Sequence, residues 1–287
     1  MSDKGYTFSK EAFQIYLKWL CFAALAFMAV ILLNELLVGT ISLVLGYVTH
    51  VFFGRVESLP HYNMYWSSMR VLALYAFPPL IILMIGIILL GIIAFGPLVL
   101  NIATWFRFWA MFFAILLGTT LLTLTLFSTM TANSSLFQGF AIVTYWYGLP
   151  ELVSIIIVIL SFLLNFASGF LCSRALFYIA PSDFMVKEGK RYPRKIIITS
   201  FIYTVLFVFL IAIGLSYPDY WSFFAIMFFH ACLWLPGLLS ISTESVMNRA
   251  SKKKATNVVT IGTRHNYVLI CLTIALAITI RLLLPQH

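Results

Sequence analysis

Charge is what this chain has least of. Only 9% of its 287 residues are Asp, Glu, Lys or Arg, and the acids are scarcer still, nine against 18 bases. A soluble domain carries about 25% charged residues, so a water-facing surface over most of the chain is excluded. Cysteine is also sparse. Cys21, Cys172, Cys232 and Cys271 stand singly inside apolar runs, without the spacing of a zinc site or redox motif, and read as small buried hydrophobes. No complete catalytic, metal or nucleotide motif occurs, no low-complexity tract breaks the chain, and no internal repeat is visible. The residues therefore offer no catalytic set, no metal ligands and no cofactor site. The net charge of +9 does not point to nucleic acid either, because the cations flank apolar runs instead of forming a soluble basic domain.

Hydrophobicity fills the rest, at 62% of the chain. Apolar runs cover about residues 19–50, 71–94, 98–127, 151–178, 196–217, 220–241 and 266–284, each near or above the ~20 residues that cross a bilayer as a helix. The fold class is an all-α, polytopic transmembrane bundle of about seven spans. Residues 1–18 form an N-terminal segment, and residues 19–284 a helical membrane domain with basic loops at 179–195 and 242–265. The apolar stretch after residue 18 exceeds a signal-peptide core of ~7–15 residues, so the first span stays in the mature protein.

Of the 18 Lys and Arg, 15 fall on one side of this map and only Arg55, Arg70 and Arg281 on the other. Cytoplasmic loops carry that excess, which puts the N-terminus and both basic loops inside and the C-terminus outside a plasma or bacterial inner membrane. Trp19, Trp105 and Trp109 fall near the inner face and Trp66, Trp146 and Trp221 near the outer one, the positions of aromatic belts. Residues 96–108 are placed along the inner interface. The uncharged stretch 128–150 is either a surface loop or a re-entrant segment.

Glu35 is the sharpest chemical feature, about 16 residues into the first span or roughly 24 Å along a helix. An acid at that depth faces a partner, a pathway or a neighbouring helix. Asn34 stands beside it. Gly39, Ser42, Gly46 and Thr49 continue from Glu35 at alternating spacings of four and three, one small-residue stripe on one helix face. Ser154, Ser161, Asn165, Ser168 and Cys172 draw a matching stripe on the fourth span, and Thr119, Thr120, Thr123 and Thr125 add hydroxyls on the third. His230 lies near mid-membrane in the sixth span at a depth close to that of Glu35. Glu35, Asn34, Asn165 and His230 form the candidate intramembrane polar site. His50, Arg55, Glu57, His61, Trp66 and Arg70 crowd into one outer loop and form a candidate binding mouth above it. Lys252, Lys253 and Lys254 suit anionic lipid headgroups, each contributing on the order of 1 kcal/mol. Pro78-Pro79 predicts a kink in the second span.

Leu33-Asn34-Glu35-Leu36-Leu37-Val38, then Phe53-Gly54-Arg55-Val56-Glu57 and Gly96-Pro97-Leu98, resemble the opening of site-2-protease-like intramembrane metallopeptidases over about the first 130 residues. Those enzymes carry H-E-x-x-H on a transmembrane helix, two histidines on zinc and the glutamate as base. Here Asn34 and Val38 stand at the histidine positions, only Glu35 matches, and no aspartate is placed as the third ligand. The resemblance implies a related membrane core without proteolysis, in which Glu35 is a relic or has a new partner. Three functional readings follow: a non-catalytic subunit or scaffold of a membrane assembly, a small proton- or ion-coupled transporter titrating at Glu35, and a membrane-embedded hydrolase. The expected partners are the lipid bilayer and other membrane proteins.

Overall fold

The computed structural model describes residues 10–53, 55–59, 66–96, 102–130, 138–179, 193–216, 221–240 and 266–283. His61, Lys252, Lys253, Lys254 and nearly all of both basic loops lie outside these residues. The chain is an all-α helical bundle and an integral membrane protein: among the described residues six helices are long and apolar enough to span a bilayer. We number the helices α1 (Lys10–Val44), α2 (Ser68–Phe95), α3 (Ile102–Met130), α4 (Phe140–Trp146), α5 (Glu151–Ile179), α6 (Pro193–Leu215), α7 (Trp221–Cys232), α8 (Leu235–Leu239) and α9 (Asn266–Leu283). The sixth span, Trp221–Leu239, joins α7 to α8. α9 carries a shorter apolar stretch, Val268–Ile280.

α1 stops at Val44 because Gly46 takes φ +80. The Tyr47 N–H then reaches Ser42 O and the Gly46 N–H reaches Leu43 O, both at 3.0 Å, a pair of bonds that closes a helix end on a left-handed glycine. Beyond it a hairpin forms from β1 (Val48–Phe52) and β2 (Arg55–Leu59), in antiparallel register with His50 opposite Glu57 and Phe52 opposite Arg55. The stripe read from sequence as one helix face is thus split. Gly39 and Ser42 lie on α1, Gly46 in the turn and Thr49 on β1, and the strand folds back so that Thr49 Oγ1 donates to Ser42 Oγ at 2.6 Å. At the hairpin tip Phe53, 4% exposed, meets Phe27 and Phe224 with ring centroids 6.3 and 6.4 Å apart. What the small residues admit is a β-hairpin.

α2 contains one π-helical turn, Leu72–Ala76, directly before Pro78 and Pro79. A proline ring presses on the carbonyl four residues back and supplies no N–H. The wider turn relieves this, with the Phe77 N–H bonding Leu72 O, so the predicted kink takes the form of a π-bulge.

α3 is the central element, since its apolar window is 83% buried against 33–61% for the other spans. Lipid provides no hydrophobic drive between helices, so close packing holds them. At one end of the bundle Trp19 stands edge-on to Trp105 and Trp109 at 5.3 and 5.2 Å, and Trp109 stacks on Phe201 at 5.6 Å. The Trp105 indole donates to Ile179 O at 2.8 Å. These three indoles are 0–1% exposed. They are core, not an aromatic belt, and residues 102–108 are the first turns of α3 in place of an interfacial helix. At the hairpin end α4 buries Ala141, Val143 and Thr144 against its neighbours.

Candidate functional site

Three helices each contribute a polar pair spaced by four residues: Thr119 and Thr123 on α3, Ser161 and Asn165 on α5, His230 on α7 with Trp234 just beyond it. That spacing puts both members on one face. The faces converge because α5 and α8 cross backbone against backbone. A Cβ on Gly169 would lie 2.6 Å from Trp234 O, and one on Gly237 2.4 Å from Gly169 C. Between α7 and α8 the chain tightens, with Leu233 and Trp234 bonding three residues back to His230 O and Ala231 O, before Pro236 ends the run of donors. This turn aims the Trp234 indole at Asn165.

The bonds can be followed atom by atom. Trp234 Nε1 donates to Asn165 Oδ1 at 3.0 Å. An indole N–H is only a donor, so it fixes which end of the Asn165 amide is oxygen. The two protons of the amide nitrogen are then shared among three acceptors, His230 Nδ1 at 2.9 Å, Thr119 Oγ1 at 2.8 Å and the Ser161 carbonyl at 2.9 Å. Because Nδ2 donates, His230 Nδ1 accepts, and the ring proton sits on Nε2, 3.0 Å from Thr123 Oγ1. Thr123 passes its own proton to Thr120 O at 2.9 Å, and Thr119 donates to Ile115 O at 2.7 Å. The threonines bond back to their own helix, as hydroxyls commonly do, and offer lone pairs across to the other two. The donor direction runs Trp234, Asn165, His230, Thr123, Thr120. Thr119, Thr123, Asn165, His230 and Trp234 are all 0% exposed.

No protein-family model, curated protein or solved structure matches this chain. Its function is therefore argued from the site.

Of the four residues predicted as one polar site, the structure brings two into direct contact. Asn165 and His230 meet in the network. Glu35, on α1, is 2% exposed, and the two ring nitrogens of His230 meet Thr123 and Asn165. Asn34 lies on the wall of a cavity bounded by α1, β2, α2 and α3. Among the loop candidates, Trp66 stacks on Tyr47 at 4.7 Å and Arg70 Cζ sits 5.9 Å over the same ring, while His50 is exposed. Arg55 and Glu57 are placed by strand register alone. Among the described residues no three His, Cys, Asp or Glu gather where a metal ion could be held. Sequence reasoning missed Trp234 and Gln138. The first was detectable, since His230 and Trp234 repeat the four-residue spacing of the other two pairs. Gln138 precedes a seven-residue helix and gave no periodic signal.

Proposed function

We propose that this protein is a non-catalytic subunit or scaffold of a membrane assembly, oriented with its N-terminus and basic loops in the cytoplasm and its C-terminus outside. The observation that carries this reading is the closure of the central network. A conducting path needs polar groups that exchange partners with water or substrate, whereas Asn165, His230, Thr119 and Thr123 use their bonding capacity on one another. Such a network serves as a joint holding α3, α5 and α7 in one arrangement. The cation excess of the basic loops supports the orientation, and Lys252, Lys253 and Lys254 are assigned to anionic headgroups of the inner leaflet.

The test is isolation of the tagged chain from its native membrane in mild detergent after brief cross-linking. A partner recovered in fixed stoichiometry, and lost from the membrane when the chain is deleted, is the expected result. Purified chain in liposomes should carry no proton or ion flux. Flux abolished by Glu35→Gln would overturn the reading in favour of a transporter. Cysteines introduced at 61, 140 and 253 in a cysteine-free background check the orientation, with 61 and 140 expected to label from outside and 253 from inside.

A further inference from the structure

A second polar feature lies apart from the network. A cavity of about 40 Å³ opens between α1, β2, α2, α3 and the residues entering α4. Its floor is buried and apolar: Ile31, Leu74, Pro79, Leu117 and Leu121. Its rim is half-buried at Asn34, Val38, Val56 and Tyr75, which marks where it reaches the surface. Two of the lining residues carry polar atoms that are out of place. Gln138 Nε2 and Asn34 Oδ1 are both buried and neither has a hydrogen-bond partner. Gln138 is only 8% exposed. One atom is a donor and the other an acceptor, and leaving each unmade costs about 1–3 kcal/mol. Buried polar atoms are nearly always satisfied in native structures, so two such atoms on residues lining one cavity call for an occupant.

The lining selects the occupant's chemistry. None of the lining residues is charged, so an ionised group would be desolvated there without a counter-charge. The occupant is neutral, and its polar part both accepts from Gln138 and donates to Asn34. A hydroxyl does both. Water has the same chemistry, but the volume has room for about three water-sized groups, each needing 2–4 polar partners, and seven of the eleven lining residues are aliphatic or proline. A hydroxyl continued by methylenes satisfies both amides and fills the remainder with apolar contacts. We infer that this cavity is a binding site for the hydroxyl end of an uncharged membrane amphiphile, a long-chain alcohol or neutral hydroxylated lipid. It stands on different atoms from the network, and it holds whether or not the chain is an assembly subunit.

The experiment uses the full chain in lipid nanodiscs and a diazirine-bearing C16 alcohol as photoprobe, compared with its methyl ether and with the plain hydrocarbon. Cross-links are mapped by peptide mass spectrometry. The alcohol should label segments around residues 31–38, 117–121 and 138–139 about tenfold more than the ether, which cannot donate to Asn34, as one buried hydrogen bond predicts. Asn34→Leu and Gln138→Met should each reduce alcohol labelling to the ether's level. Val38→Phe narrows the rim and leaves both amides in place; it should abolish labelling, which keeps the proposal testable if Gln138→Met fails to elute as a folded particle. Equal labelling by alcohol and hydrocarbon would overturn the inference. So would absence of label at these segments, the result for a cavity that holds water alone, or labelling indifferent to all three substitutions.

Discussion

Replacing Asn165 by leucine keeps the heavy-atom count and branching of the side chain while removing its polarity, so its main effect falls on the network. Three contacts between helices vanish, those to Trp234, His230 and Thr119, the last two sharing the amide protons with the Ser161 carbonyl. Hydrogen bonds between membrane helices average about 0.6 kcal/mol each, which sets a floor of about 1–2 kcal/mol. Two groups with 0% exposure, the Trp234 N–H and His230 Nδ1, are also left without partners, at ~1–3 kcal/mol apiece. The expected loss is therefore about 3 kcal/mol, above the floor because orphaned groups in a closed core find no water. Reversible unfolding in mixed micelles, followed by tryptophan fluorescence and circular dichroism, measures it. A cycle with Trp234→Phe adds a second reading: once the indole donor is gone, Asn165→Leu should cost about 1 kcal/mol less than it does alone. A single variant within about 0.5 kcal/mol of the parent, or strict additivity in the cycle, would refute the network as a structural joint.

Nitrogen NMR of 15N-histidine protein should show His230 with its proton on Nε2, and Trp234→Phe should populate the other tautomer by freeing the Asn165 amide to rotate; an Nδ1-protonated ring in the parent protein contradicts the bond directions. Gly169→Ala and Gly237→Ala place a methyl against backbone atoms and should destabilise by about 1–3 kcal/mol as overpacking does. Gly214→Ala, with nothing within 4 Å of the added carbon, should be neutral or gain up to about 1 kcal/mol from helix propensity; equal effects at the three positions in thermal melts would remove the argument for a tight α5–α8 crossing. Gly46→Ala, forced to φ +80, should lose about 1–2 kcal/mol and loosen the hairpin, visible as increased amide exchange at residues 48–52.

The spans were legible because hydrocarbon imposes one rule along the whole chain. Runs predicted at 151–178 and 196–217 appear as the spanning helices Glu151–Ile179 and Pro193–Leu215, whereas the seventh, predicted at 266–284, is a helix, Asn266–Leu283, whose apolar stretch Val268–Ile280 is shorter than the six others. The first run, predicted to 50, ends at Val44 for a reason that hydrophobicity does not carry: Val48, Val51 and Phe52 are as apolar as the helix before them, and only Gly46 followed by β-branched residues marks the change. Three of the six tryptophans misled for a related cause. Position along a span gives depth but not direction, and Trp19, Trp105 and Trp109, expected at the interface, face inward to one another.

Direction also decided which polar residues meet. Glu35 and His230 were expected at similar depth, yet depth is one coordinate of three, and His230 bonds to α3 and α5. What brings Asn165, His230 and the threonines together is a condition on backbones. Gly169 and Gly237 let two helices touch, a proline and two shortened turns re-aim Trp234, and the indole fixes the Asn165 amide, which in turn fixes the histidine tautomer. Each step requires the one before it. An alanine at either glycine would therefore act on the proton position of a ring several residues away, and the 15N spectrum of His230 in Gly169→Ala would show it: a tautomer mixture if the crossing positions the indole, an unchanged Nε2–H ring if the network assembles without it.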